Sequence, residues 1–419
     1  MAVVGALLLC TTAALPSGAA LAAGTPTPYA FAPDARTVAG ATGTADAVRL
    51  TPGATYKSSL PSDGKIYYRL DLDATSDTYV SATAIPAPGS TVAANDGIRV
   101  SVQDADGRSC SFRTEQFRVV QSPRPIAAWA AREISANKPR CETAGTYYMV
   151  VERVGTASSA PDAWDLELFA ASEPSLEQAG ATSAPEAWDS ASPTPLTGEG
   201  VRREGGSGFA SAVSVGEGVW SADIEPGRTF FYKVPLTWGR QLYATAELGS
   251  SAGGDGTAVG ALDLSLHNPA RGLVDDASTY YDGSQKSAEI DPLPPVAYEN
   301  RYAVSDRVSG MRFAGSYYLV VHLAAEVAEK YGDGPLPLTL RVRVGGSAEP
   351  GPGYAGESEP PGVFQAGGVD PGAAAESGAG GGGDAAMAVL AVSGIGAGTV
   401  VLVVLGVWTV VARRRVGAL

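Results

Sequence analysis

The sequence predicts an all-β protein: two tandem jelly-roll-like β-sandwiches, followed by a disordered stalk and a single transmembrane helix. Three observations predict it. The chain repeats itself at long range, its ordered stretches are short alternating runs, and its glycine and proline excess falls between those runs.

The repeat is the strongest of the three. At an offset of 164, residues 51–104 align with 215–268 without a gap. Tyr67-Tyr68-Arg69-Leu70 falls on Phe231-Tyr232-Lys233-Val234, Tyr56 on Trp220, Leu60 on Ile224 and Tyr79 on Tyr243. A second block follows at an offset of 170, with Ala144-Gly145-Thr146-Tyr147-Tyr148-Met149-Val150-Val151 on Ala314-Gly315-Ser316-Tyr317-Tyr318-Leu319-Val320-Val321. Chance supplies one Tyr-Tyr run, but hardly two blocks in the same order.

Each unit reads as strands. Ile98–Val102 and Leu262–Leu266 alternate apolar and polar residues with period two, as half-buried strands do. Tyr147–Val151 and Tyr317–Val321 are short aromatic and β-branched runs, each introduced by glycine. Trp164–Leu168 and Leu338–Val344 alternate again and close their units. Two stretches, Ile126–Ile134 and Ala324–Tyr331, fit short helical turns between strands. Glycine (52) and proline (29) together make up about a fifth of the 419 residues, against an ordinary level of roughly an eighth. Short strands separated by such turns indicate a sandwich or barrel.

The ends predict export and anchoring. Met1–Leu15 is apolar and uncharged, and Ala20-Leu21-Ala22 offers signal peptidase its small-x-small pattern, although no Lys or Arg precedes the apolar run. Ala385–Ala412 has no charge and is long enough to cross a bilayer as a helix. Arg413-Arg414-Arg415 follows at once, which places the C-terminus in the cytoplasm. The expected organisation is a signal peptide (1–23), a linker (24–44), sandwich one (45–170), a Pro/Ser/Gly-rich linker (171–206), sandwich two (207–345), a stalk (346–384), the span (385–412) and a cytoplasmic tail (413–419). Each half is expected to fold alone, on its own strands and core aromatics.

The order of Tyr-Tyr-Arg-Leu at 67–70, Ile-Arg-Val-Ser-Val at 98–102 with Asp-Ala-Asp-Gly at 104–107, and Ala-Gly-Thr-Tyr-Tyr-Met-Val-Val at 144–151 resembles the bacterial pre-peptidase C-terminal domain. The resemblance covers roughly 45–170 and 209–345, and the overall style is similar to actinobacterial exported proteins. It implies a small jelly-roll sandwich appended to something that acts elsewhere; no catalytic partner domain is found in this chain.

Little in the sequence speaks for catalysis. The chain has two histidines, His267 and His322, each read as a strand-end surface residue; Gln103 and Glu152 stand at the matching places of the first unit. A Ser or Cys nucleophile needs a base beside it, and a zinc site needs more ligands than these two supply. Carboxylates crowd turns at Asp71, Asp73 and Asp77 and at Asp104 and Asp106, as they do in calcium sites. Solvated turn acids are the plainer reading of the five, and the second unit does not repeat them. No glycine-rich phosphate loop occurs, and no cofactor is expected.

The formal charge of −14 argues against nucleic acid as a partner. The expected partners are the cytoplasmic membrane, through the single anchor, and an extracellular protein or cell-wall glycan. The expected function is non-enzymatic: a type I surface protein displaying two binding or structural modules, with a calcium-supported carbohydrate- or wall-binding module as the alternative. Cys10 lies in the leader, so Cys110 and Cys141 form the one pair of an exported chain and are expected to be bonded. At the two offsets they fall on Val274 and Met311, which are therefore expected to be buried.

Overall fold

The computed structural model describes residues 29–134, 140–155, 162–194 and 196–365. The expected leader, span and tail lie outside the described residues, as does the stalk beyond 365. Among the described residues no helix is long and apolar enough to cross a membrane.

The first half contains β1 (Arg36–Thr37), β2 (Val48–Arg49), β3 (Thr55–Leu60), β4 (Lys65–Leu72), β5 (Asp77–Ile85), β6 (Gly97–Asp104), β7 (Ser109–Gln116), β8 (Ile126–Arg132), β9 (Gly145–Val154) and β10 (Trp164–Glu173). They form two five-stranded sheets, β1-β3-β10-β5-β8 and β2-β4-β9-β6-β7. From β3 to β10 each successive strand changes sheet in the jelly-roll manner, except at the β6–β7 hairpin. Side chains from both sheets meet in one core, including Tyr56, Leu60, Tyr68, Val100, Met149 and Trp164.

The second half repeats this strand for strand. It contains β11 (Val201–Arg202), β12 (Val213–Ser214), β13 (Gly218–Ile224), β14 (Thr229–Leu236), β15 (Gln241–Leu248), β16 (Ala258–His267), β17 (Leu273–Tyr281), β18 (Lys286–Glu289), β19 (Gly315–Leu323) and β20 (Leu336–Gly345). Its sheets run β11-β13-β20-β15-β18 and β12-β14-β19-β16-β17. The register repeats too: Tyr68 pairs with Met149 and Val100 with Val151, while Tyr232 pairs with Leu319 and Leu264 with Val321. Both offsets read from the sequence therefore carry the strand-pairing register of one unit onto the other.

Two short helices, α1 (Asp306–Gly310) and α2 (Glu326–Tyr331), lie in the second half. The second was expected. The other expected helical turn, at Ile126–Ile134, is instead strand β8 through Arg132. Its seven residues are all buried because Ile126, Ala128 and Ala130 face the core while Ala127, Trp129 and Ala131 face the other sandwich. Burial on both faces erases the alternation that marks a strand.

The strand sets also begin upstream of the expected boundaries. β1 lies within the N-terminal linker and β11 within the central one, each pairing in parallel with the first long strand of its unit. Part of the expected stalk is structured as well. Residues 346–365 return to the end of β10, where Ser172 and Glu359 exchange backbone hydrogen bonds, and Phe364 is 1% exposed.

Cys110 on β7 is bonded to Cys141, with Cα atoms 5.9 Å apart. Val274 and Met311 are 4% and 0% exposed, so the matching positions of the second half are filled by apolar side chains.

Candidate binding groove

The halves are not beads on a linker. The outer face of β1-β3-β10-β5-β8 packs on the outer face of β12-β14-β19-β16-β17. Tyr79, Trp129, Phe169 and Ala171 of the first sandwich meet Ala270 and Phe313 of the second, and Phe364 joins them, stacked 4.6 Å from the Phe313 ring. A second apolar patch brings Ala127 onto Phe209, Phe231 and Val320.

Buried ion pairs cross the same junction. Glu167 on β10, fully buried, pairs with Arg271 at 2.5 Å and accepts hydrogen bonds from the Tyr29 hydroxyl and the Ala32 N–H. Arg301 reaches Asp77 at 3.2 Å and Glu173 at 2.9 Å, and Tyr79 and Tyr354 also donate to Glu173. Arg312 pairs with Glu133, and Arg124 lies 3.5 Å from Asp263. Burial, then the neighbouring Glu173, pushes the Asp77 carboxyl up to about 7.

Both histidines are buried in this junction and are not surface residues. Ser122 Oγ of the first sandwich lies 3.0 Å from His322 Nε2, while Thr229 Oγ1 lies 2.9 Å from Nδ1. This is a serine–histidine contact in outline, but a threonine stands where a triad has a carboxylate. Ser122 and His322 are both 0% exposed, and Ser122 also accepts from the Ala325 N–H, so the contact rivets one sandwich to the other. His267 sits edge-on to Phe209, 3.2 Å from Ser265 Oγ.

Burial holds His267 down to about 4 and His322 well below its ordinary value. The unfolded chain takes up these protons below about 6.5 and the folded chain does not. Their contribution is thus complete above 6.5 and is lost as pH falls toward 4. Asp77 and Glu115, both raised to about 7, work in the opposite direction over nearly the same window. A His267→Gln variant should therefore show a shallower acid loss of stability. The difference from the native chain, on the order of 3 kcal/mol between pH 6.5 and 4, is read from urea midpoints at each pH. Parallel curves would contradict the buried neutral imidazole.

The five acidic residues singled out in the sequence are used separately. Asp71 pairs with Arg49 and Arg69 at 3.1 and 3.0 Å. Asp73 accepts from the Thr75 and Ser76 N–H groups, Asp104 from those of Asp106 and Arg108, and Asp106 pairs with Arg108. Asp77 belongs to the junction. Among the described residues no group of three or more His, Cys, Asp or Glu is placed to hold a metal ion.

Where the two sandwiches diverge, a groove remains. Its main cleft, about 350 Å³, has β8 as its floor, β7 as one wall, and β17 with α1 as the other. Smaller cavities of about 50 and 120 Å³ extend it toward Ile126 and toward Ala131. Two ion pairs bridge the walls: Arg113 to Asp306, and Arg118 to Asp276 at 2.9 Å. Arg307 pairs with Asp275 at 2.9 Å on the far wall, and burial pushes Glu115 on the near wall up to about 7. These residues were not singled out in the sequence. For the docked faces that form the groove the available signal was a contrast between repeats: outward positions of one unit are aromatic or histidine where the other has polar groups.

The fold and groove define the class: an all-β, two-sandwich body whose junction holds a cleft with an apolar floor and charged walls. No family model matches the chain, and no curated protein matches it. Among solved structures, the tandem CBM22-1–CBM22-2 domain of Paenibacillus barcinonensis Xyn10C is 12% identical, covering 67% of this chain and 82% of that one at a TM-score of 0.19. The CUB1-EGF-CUB2 region of human MASP-1/3 is 8% identical, covering 69% and 99% at 0.17. The ANX1 ectodomain of Arabidopsis thaliana is 9% identical, covering 69% and 84%, also at 0.17. Likeness at this level does not bear on function.

Proposed function

We propose that this chain is an exported, non-enzymatic surface protein. Its two pre-peptidase C-terminal-like sandwiches act as one rigid body, held to the membrane by residues 385–412, and that body meets an extracellular protein or wall glycan in the junctional groove. The observation that carries the reading is the groove itself: both sandwiches supply its walls, and the buried ion pairs of the junction hold the two sandwiches together beside it. Rigid scaffolds that position a few polar groups in a concavity suit recognition. The non-enzymatic part draws support from the Ser122–His322 contact, which is sealed from solvent and has no carboxylate orienter.

Two arms test this. Protease shaving of intact cells should remove epitopes of both sandwiches, and protection of either would overturn the topology. Capture from the cell envelope on the immobilised full chain should fall at least tenfold in a Leu273→Trp variant, whose indole enters the cleft from β17. Unchanged capture by that variant would overturn the assignment of the groove.

A further inference from the structure

The floor of the groove is the edge of a sheet. β8 ends the order β1-β3-β10-β5-β8, so it is paired with β5 on one side only. The Ser111 hydroxyl shows where the other side points: it bonds both the N–H and the C=O of Ala131, each at 2.7 Å. Main-chain groups alternate in direction along an antiparallel strand. Trp129 and Ala127 therefore aim their N–H and C=O groups the same way as Ala131, into the cleft that both residues line.

Exposed sheet edges are usually blunted by lysine, proline, a bulge or shortness. β8 has none of these before Arg132; its sequence from 127 is Ala-Ala-Trp-Ala-Ala, and its pairing with β5 is regular over seven residues. The matching edge of the second sandwich is different. β18 is only four residues long and carries Lys286 and Glu289. One edge is closed off by sequence; the other carries no such device and, beyond the Ser111 cap on Ala131, borders the walled groove at Ala127 and Trp129.

We infer that the β8 edge takes an extended peptide of a partner protein, added as a strand between β7 and β17, with acidic and basic side chains in alternation. This rests on the proposed role of the groove. The backbone requirement follows from the edge, because paired N–H and C=O groups at every second residue match another strand. The charge requirement follows from the walls. Successive side chains of a strand point to opposite sides. One set faces a wall that is basic on balance, Arg113 and Arg118 against Glu115, and the other a wall that is acidic on balance, Asp275, Asp276 and Asp306 against Arg307. The two bridges now spanning the walls join half-exposed partners, and such pairs exchange at little cost.

The test uses the full chain in detergent micelles and a blocked octapeptide of alternating glutamate and lysine, which puts all its carboxylates on one face when extended. Binding is read by fluorescence anisotropy and by amide hydrogen exchange. The expected result is saturable binding, with exchange at the Ala127 and Trp129 amides slowed at least tenfold. A version of the peptide N-methylated at alternate residues should bind at least tenfold more weakly, as should all-glutamate and all-lysine peptides of the same length. Absent binding, binding without slowed exchange at those amides, or equal binding of the N-methylated or single-charge peptides would each overturn strand addition. If such a failure accompanies envelope capture that Leu273→Trp abolishes, the groove remains the site and its occupant is not a strand. If Leu273→Trp leaves capture intact, the groove assignment itself fails.

Discussion

Replacing Glu167 with alanine should cost the chain about 3–5 kcal/mol, the range for removing one partner of a buried ion pair. The carboxylate is 0% exposed and its partner Arg271 is 6% exposed, so water solvates little of the guanidinium left behind. The same change strands the Tyr29 hydroxyl and the Ala32 N–H, both of which donate to Glu167. Among the described residues Arg271 keeps its places over the Phe169 and Phe209 rings, 4.4 and 5.2 Å away, and cation–π contact does not replace a carboxylate. The loss is measured from the urea midpoint at constant slope. A change within 0.5 kcal/mol would show that the junction does not depend on this pair. Glu152→Ala, at a half-exposed site on the free face of the first sandwich, is the control and should fall within that limit.

The duplication was legible because it is carried by core positions. Tyr68 and Tyr232, or Val100 and Leu264, occupy the same layer of two cores, and both blocks kept their spacing. The junction was not legible by periodicity, since it joins distant parts of the chain: Arg301 and Asp77 are 224 residues apart. β8 was misread for a related reason, its outward side being covered by the other sandwich. The histidines were misread because their equivalents, Gln103 and Glu152, face outward in the half whose corresponding sheet is free. Read as a contrast, the repeat did hold the answer. Phe169 and Ala171 on the docking face of the first sandwich match Arg341 and Arg343 on the free face of the second, where Arg341 pairs with Glu247. Phe231, 1% exposed, matches Tyr67, which is half-buried on the free side. Duplication copied the cores, and the outward positions diverged into one docking surface and one solvent surface.

That divergence alters the expectation that each half folds alone. Separating the sandwiches would bare two apolar patches and leave Glu167, Glu173, Arg301 and Arg312 without the opposite charges that hold them in the dry junction. The segments that flank the sandwiches reinforce the link. Tyr29 sits on Phe231 of the second sandwich while bonding Glu167 of the first, and Phe364 lies between Tyr79 and Phe313. Buried charges without partners and exposed aromatic faces make an isolated half unstable. The most direct test is differential scanning calorimetry of residues 29–365. The account predicts one cooperative transition, with calorimetric and van't Hoff enthalpies in agreement. Two resolved transitions, each reproduced by one half expressed alone, would contradict it.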